Sequence, residues 1–191
     1  MTQTAARTSA RDRLLASAAE LFYAEGIHTV GIDRIIEHAG VAKASLYKTF
    51  GSKDELVRAY LEQRHAVTEE RITRVLTRWD TPRDKILGVF VAQGERMAEP
   101  DYHGCPFISA TAESERDSAA MQATLGFRDW LRGLFAELAE QAGVADTDRL
   151  SRQLVMLYDG AALSLRIDGN RDAAEAARAA AAALLATELQ S

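Results

Sequence analysis

Cysteine occurs once in the 191 residues, at Cys105, so the chain has no intramolecular disulfide framework and a reducing compartment is its expected setting. Proline occurs only three times. With Ala and Leu abundant and few helix breakers, the expected fold class is all-α. No apolar run approaches the ~18 residues of a membrane span, and the alanine-rich end is interrupted by Glu175 and Arg178. The first residues carry no basic segment leading into an apolar one. A cytoplasmic protein without membrane contact is therefore expected. Enzyme signatures are missing as well: no nucleophile elbow with a Ser/His/Asp pattern, no glycine-rich phosphate loop and no paired metal motif. The four histidines are scattered at positions 28, 38, 65 and 103. Neither catalysis nor a cofactor is expected.

A large excess of positive charge is also lacking. The formal net charge of −5 argues against a protein that coats nucleic acid indiscriminately. Its distribution is uneven, since residues 1–60 hold eight Lys/Arg against seven Asp/Glu and the acidic excess lies beyond them. A near-neutral first part on an acidic body fits a local DNA contact made by a few residues, although solvated surfaces often carry imbalances of this size.

Helical periodicity runs through the whole chain. Ser9 and Asp12 have capping-box spacing, and Leu14, Ala18, Leu21 and Phe22 follow at three- and four-residue intervals until Gly26. Arg7, Arg11 and Arg13 read either as part of a frayed terminus or as a basic arm for phosphates. Ile32, Ile35, Ile36 and Ala39 form the next apolar stripe and Gly40 the turn after it. A short helix of roughly Lys43–Phe50 then carries polar and basic groups, with Leu46 and Phe50 on one face as anchors. Two short helices joined by a glycine turn make a helix-turn-helix. Small donors opposite an apolar anchor suit a helix seated in a DNA major groove.

Ser52-Lys53-Asp54-Glu55 opens a long helix expected to reach about Trp79, and Thr81-Pro82 opens the next. The latter is apolar nearly all round through Ile86, Leu87, Val89 and Phe90, so it should be central. Cys105-Pro106 starts a short helix, and a long one spans about Ser118–Ala142. Another runs from Asp146 or Thr147 to Asp168-Gly169, and an alanine-rich helix covers about Arg171–Leu189. The last two expose more apolar and small surface than one chain readily covers. They read either as closure of the core or as a homodimer interface in a four-helix bundle.

The run AAELFYAEGIHTVGIDRIIEHAGVAKASLYKTFGSKDEL, ending at Leu56, resembles the TetR family of bacterial transcriptional regulators. The Ile-rich helix, AGV turn, LY-x-x-F helix and SK-x-EL opening share that family's order and spacing. The resemblance implies a three-helix DNA-binding domain over residues 1–52 and a helical ligand-binding and dimerisation domain over 53–191. It implies a double-stranded DNA operator, a small-molecule effector, and a homodimer formed through the last two helices. Carried over position by position, Ala42, Lys43 and Ser45 face base edges or nearby backbone. Tyr47, Thr49 and Lys53 contact phosphates, and Lys48 reaches either. Two departures stand out. Gly31 replaces a hydroxyl residue common in relatives, and Ile36 stands where Ala is frequent at the helix crossing.

The same resemblance implies a ligand cavity in the second domain. Its candidate lining is Phe90, Met97, Tyr102, His103, Cys105, Phe107, Trp130, Met156 and Tyr158, each of which also serves as plain core. Cys105 precedes a proline at a helix start, a place that can lower a thiol pKa, so a redox-sensing regulator is an alternative. His103 and Cys105 have no further ligands nearby in sequence to complete a metal site. Asp159 reads as a partner for a ligand amine or as an edge carboxylate. A helical adaptor without DNA binding is the third reading.

Overall fold

The computed structural model of the chain describes residues 9–112 and 114–189. Among them are nine α-helices and no strand. Helix α1 is Ala10–Glu25, α2 Ile32–Ala39, α3 Lys43–Phe50, α4 Lys53–Leu76 and α5 Pro82–Met97. Then come α6 Pro106–Ala112, α7 Ala119–Gln141, α8 Thr147–Asp168 and α9 Ala173–Glu188. The helices start where side chains supply the missing acceptors. Ser9 Oγ accepts from the Asp12 amide at 3.1 Å, Ser52 Oγ from Glu55 at 3.1 Å and Thr81 Oγ1 from Asp84 at 3.1 Å. Pro82 takes the first helical position, where no amide donor is needed. Arg7 lies outside the described residues.

Two boundaries differ from the expected ones for local reasons. Helix α4 stops at Leu76 rather than near Trp79, because the Arg78 and Trp79 amides turn back to Val75 and Leu76 at 3.1 and 3.2 Å. The turn lays the Trp79 ring over Gly88 of α5, where an added Cβ would sit 2.6 Å from the ring. Helix α9 begins two residues late because Asn170 Oδ1 accepts from the Asp172 amide at 3.1 Å and holds a turn ahead of it.

The contacts divide the chain into two compact units: Met1–Gln63 with Ser109–Thr124, and Arg64–Ile108 with Leu125–Ser191. In the first unit α1, α2 and α3 pack on one another. Its core holds Leu14, Ala18, Phe22, Ile35, Leu46, Leu56 and Tyr60, and the Phe22 and Tyr60 rings meet edge to face at 5.7 Å. In the second unit α5, α8 and α9 pack together. There Ile86, Val89 and Phe90 are buried beside Phe135, Leu150 and Leu154, as the all-round apolar character of α5 predicts. Helix α4 starts in the first unit and continues in the second. No helix among the described residues is long and apolar enough to cross a membrane.

Leu46 is fully buried and is the buried residue of α3. Leu46→Ala should lower stability by about 2–5 kcal/mol. Urea unfolding followed by circular dichroism measures this, and a change below about 0.5 kcal/mol would remove Leu46 as the anchor.

Candidate functional site

The turn that presents α3 is fixed before any ligand arrives. Gly40 adopts φ +60°, the left-handed region that glycine enters without a Cβ clash. Its amide donates to the Glu37 and Ile36 carbonyls, and the Val41 amide reaches Ile36 at 3.2 Å. The Arg13 guanidinium of α1 donates to the Gly40 carbonyl at 3.2 Å, tying the turn to the first helix. Arg11 of α1 lies 5.7 Å over the Phe50 ring at the other end of α3. One end of the short helix is thus held by a hydrogen bond and the other by an aromatic contact.

With Leu46 facing inward, the opposite side presents Ala42, Lys43, Tyr47, Lys48 and Thr49 to solvent, while Ser45 is half-buried. From His38 to Lys53 the chain contains no carboxylate. Asp33 of α2 supplies one from outside. Its Oδ1 accepts from the Lys43 ammonium at 2.8 Å and raises the Lys43 pKa, first through that bond and then through charge. Both partners are largely exposed, so the pair orients Lys43 more than it stabilises the fold. An ammonium has three donors, and the bond to Asp33 leaves two for acceptors on DNA.

Thr49 and Lys53 are already engaged. The Thr49 hydroxyl donates to the Ser45 carbonyl at 2.6 Å, so donation to a phosphate requires that bond to break. The Lys53 ammonium donates to the Ile27 carbonyl at 2.6 Å and sits 5.9 Å over the Phe22 ring. Lys53 therefore clamps the start of α4 to the loop after α1, and a phosphate would receive its remaining donors. Gly31 caps α2 without a side-chain hydrogen bond, and Ile36 is buried in the α2 stripe.

Of the nine candidate ligand residues, three line one cleft and four pack in ring contacts. Phe90 stacks on Phe135 at 5.8 Å and lies 6.4 Å from the buried Tyr158, whose hydroxyl is pushed up by burial. Phe107 stacks face to face on Phe127 at 3.9 Å, and Trp130 joins that ring and His65. Met97, Tyr102 and His103 line a separate cleft. Met156 is 70 % exposed on the outer side of α8, so the expected place for it in a cavity wall gives way to a surface one. Asp159 pairs with Arg128 across α7 and α8, an edge carboxylate already satisfied by a guanidinium. Neither Arg128 nor Asp33 was legible as a partner, because both pairings cross between helices at separations that no periodicity marks.

For Cys105 the surroundings favour the packing reading over the reactive-thiol alternative. The Phe107 and Ile108 amides at the start of α6 do lower the thiol pKa, as a helix N-terminus should. Burial outweighs them and pushes the thiol up to about 11. Among the described residues no group of three or more His, Cys, Asp or Glu gathers to hold a metal ion.

The family profile described as "Bacterial regulatory proteins, tetR family" matches residues 14–60, a span that runs from within α1 through α2 and α3 into the start of α4. The HTH-type transcriptional regulator TtgR of Pseudomonas putida is 30% identical over 172 residues, covering 78% of this chain and 81% of that protein. The chain belongs to the TetR family. A crystal structure of a TetR-family transcriptional regulator from Streptomyces coelicolor superposes with a TM-score of 0.86 at 33% identity, over 94% of this chain and 96% of that one. The HTH-type transcriptional activator FasR of Mycolicibacterium smegmatis is 48% identical over 59 residues. That match spans 31% of this chain and 26% of FasR. As a TetR-family member the chain is a helix-turn-helix transcriptional regulator with an all-helical body.

A thiol with a pKa near 11 is ionised in about one molecule in a thousand at pH 8. Iodoacetamide should therefore label Cys105 at pH 8 about 100-fold more slowly in the folded protein than in urea, by mass spectrometry. Equal rates in the two states would reinstate a reactive thiol.

Proposed function

We propose that the protein is a ligand-responsive repressor that binds a palindromic operator as a homodimer and releases it when a small molecule occupies the second unit. The observation that carries this reading is the exposed polar row of α3 above the buried Leu46, inside the span that matches the family. In the complex, Lys43 and Lys48 donate to guanine acceptors or phosphates, Ser45 bonds base edges and Ala42 meets a thymine methyl. Tyr47, 46 % exposed, and Thr49 reach the sugar-phosphate backbone, as does Lys53 through the donors that Ile27 leaves free. The reader comprises residues 1–52, and the ligand-binding and dimerisation part comprises 53–191.

Support for the dimer comes from the outer faces of α8 and α9. Met156, Leu163 and Ile167 are exposed at spacings of seven and four, one stripe of α8. Alongside, Ala176, Ala179, Ala183 and Ala186 are exposed on α9, and their small side chains permit close approach. Two such pairs form an isologous four-helix bundle that buries both stripes. The dimer places two reading helices on successive half-sites of one operator. Bound over a promoter, it blocks transcription. An effector lifts the block only if it binds the DNA-incompetent shape more tightly. The relative FasR is named an activator, so output is measured with a reporter rather than assumed.

Selection of bound DNA from a random pool tests the reading. A palindrome should be enriched, and its affinity should fall steeply with salt, by a slope of about −0.9 per phosphate contact. Failure to enrich any sequence would favour the adaptor reading. Ile167→Asp should shift sedimentation from dimer to monomer and weaken operator binding at least 10-fold. A variant that stayed dimeric would move the interface away from α8.

A further inference from the structure

Lys43 stands where its own helix does not favour it. It is the first residue of α3, whose Ala42 cap supplies no side-chain hydrogen bond and whose first turn holds no acidic residue. The amides at a helix start carry positive partial charge, which repels an ammonium placed there. A lysine beside uncapped amides also draws any phosphate, whatever the base sequence around it. Left so, Lys43 would add affinity for DNA without adding discrimination.

Asp33 alters that balance. It belongs to the first turn of α2, ten residues earlier in the chain, and its Oδ1 accepts from the Lys43 ammonium at 2.8 Å. The Asp33 side chain is 81 % exposed and that of Lys43 57 %, so the pair forms in solvent beside the exposed row of α3. Its two helices are joined by the Gly40 turn and anchored by the buried Ile35, Ile36, Ala39 and Leu46. The carboxylate is therefore carried on a rigid support. A phosphate taken by Lys43 would lie close to Asp33, and like charges repel more strongly as the groove excludes solvent. The O6 and N7 acceptors of guanine carry only partial charge and incur far less of that repulsion.

We propose that Asp33 is a specificity-determining residue that acts through Lys43: it holds the ammonium away from phosphates and directs its two remaining donors to a guanine in each operator half-site. Asp33 is then a positioning residue and need not touch DNA. The inference deepens the operator-binding reading above, which leaves Lys43 on either a base or a phosphate, and it rests on that reading.

Selection of bound DNA from a random pool, run with the full chain and with Asp33→Asn, tests this. The unaltered protein should prefer guanine at one position of each half-site, and Lys43→Gln should remove that preference. Asp33→Asn should weaken the same preference about 10-fold and leave the other positions as they were. Its salt slope should steepen by about 1.8 per dimer, as two lysines move to phosphates. Asp33→Glu, which keeps the charge, should retain the preference. In the Lys43→Gln background, Asp33→Asn should change neither readout. A carboxylate that served only the start of α2 would alter thermal melting and move neither readout. Should Asp33→Asn fail to fold, Asp33→Gln carries the same expectation with a better helix former. An unchanged guanine preference in a folded Asp33 variant, or an equal effect without Lys43, would overturn the assignment while leaving the operator reading intact. If the unaltered protein enriches no sequence, the operator reading falls and this one with it.

Discussion

Leu46 is completely buried while the residues on either side of it are not, and the rest of the reader depends on that one-sided burial. A helix as short as α3, Lys43–Phe50, is far below the length that is stable alone in water. Its conformation has to be supplied by packing on α1 and α2. Burial of a leucine side chain contributes about 1.5–3 kcal/mol, more than any exposed ion pair on the same surface. The Arg13 bond to Gly40 and the Arg11 contact with Phe50 then fix rotation about that anchor. Polar groups on α3 are therefore organised before DNA is met, so less ordering entropy is lost on binding.

Electrostatics works locally in both units rather than through net charge. In the first, one carboxylate, Asp33, orients one lysine within a surface segment that otherwise lacks acids. In the second, Arg71 and Arg96 share Glu99 at the end of α5, and Arg96 also meets Asp101. A formal charge of −5 describes neither neighbourhood. Both depend on pairs formed between helices.

The helices themselves were legible because caps and stripes are local. Ser9, Ser52 and Thr81 each accept the amide three residues on, as their spacing indicates. Gly40 and Gly169 both adopt positive φ at helix ends. Side-chain engagement across helices was not legible. Lys53 reads as a free cation in sequence, yet its ammonium is bound to the Ile27 carbonyl 26 residues away. Met156 reads as core in sequence because α8 is apolar on most faces, and only the packing of α5 and α9 decides which face is covered. Cys105 sits where a helix start favours a thiolate, and burial reversed the outcome.

The central claim is that the exposed row of α3, held by Leu46, reads DNA. Footprinting of a selected operator with the Lys43→Ala/Tyr47→Ala double variant addresses it most directly, with sedimentation to establish that the variant stays a folded dimer. The account predicts loss of protection at concentrations at least 100-fold above those at which the unaltered protein protects the site. Undiminished protection by the folded double variant would contradict it and move the reading surface elsewhere.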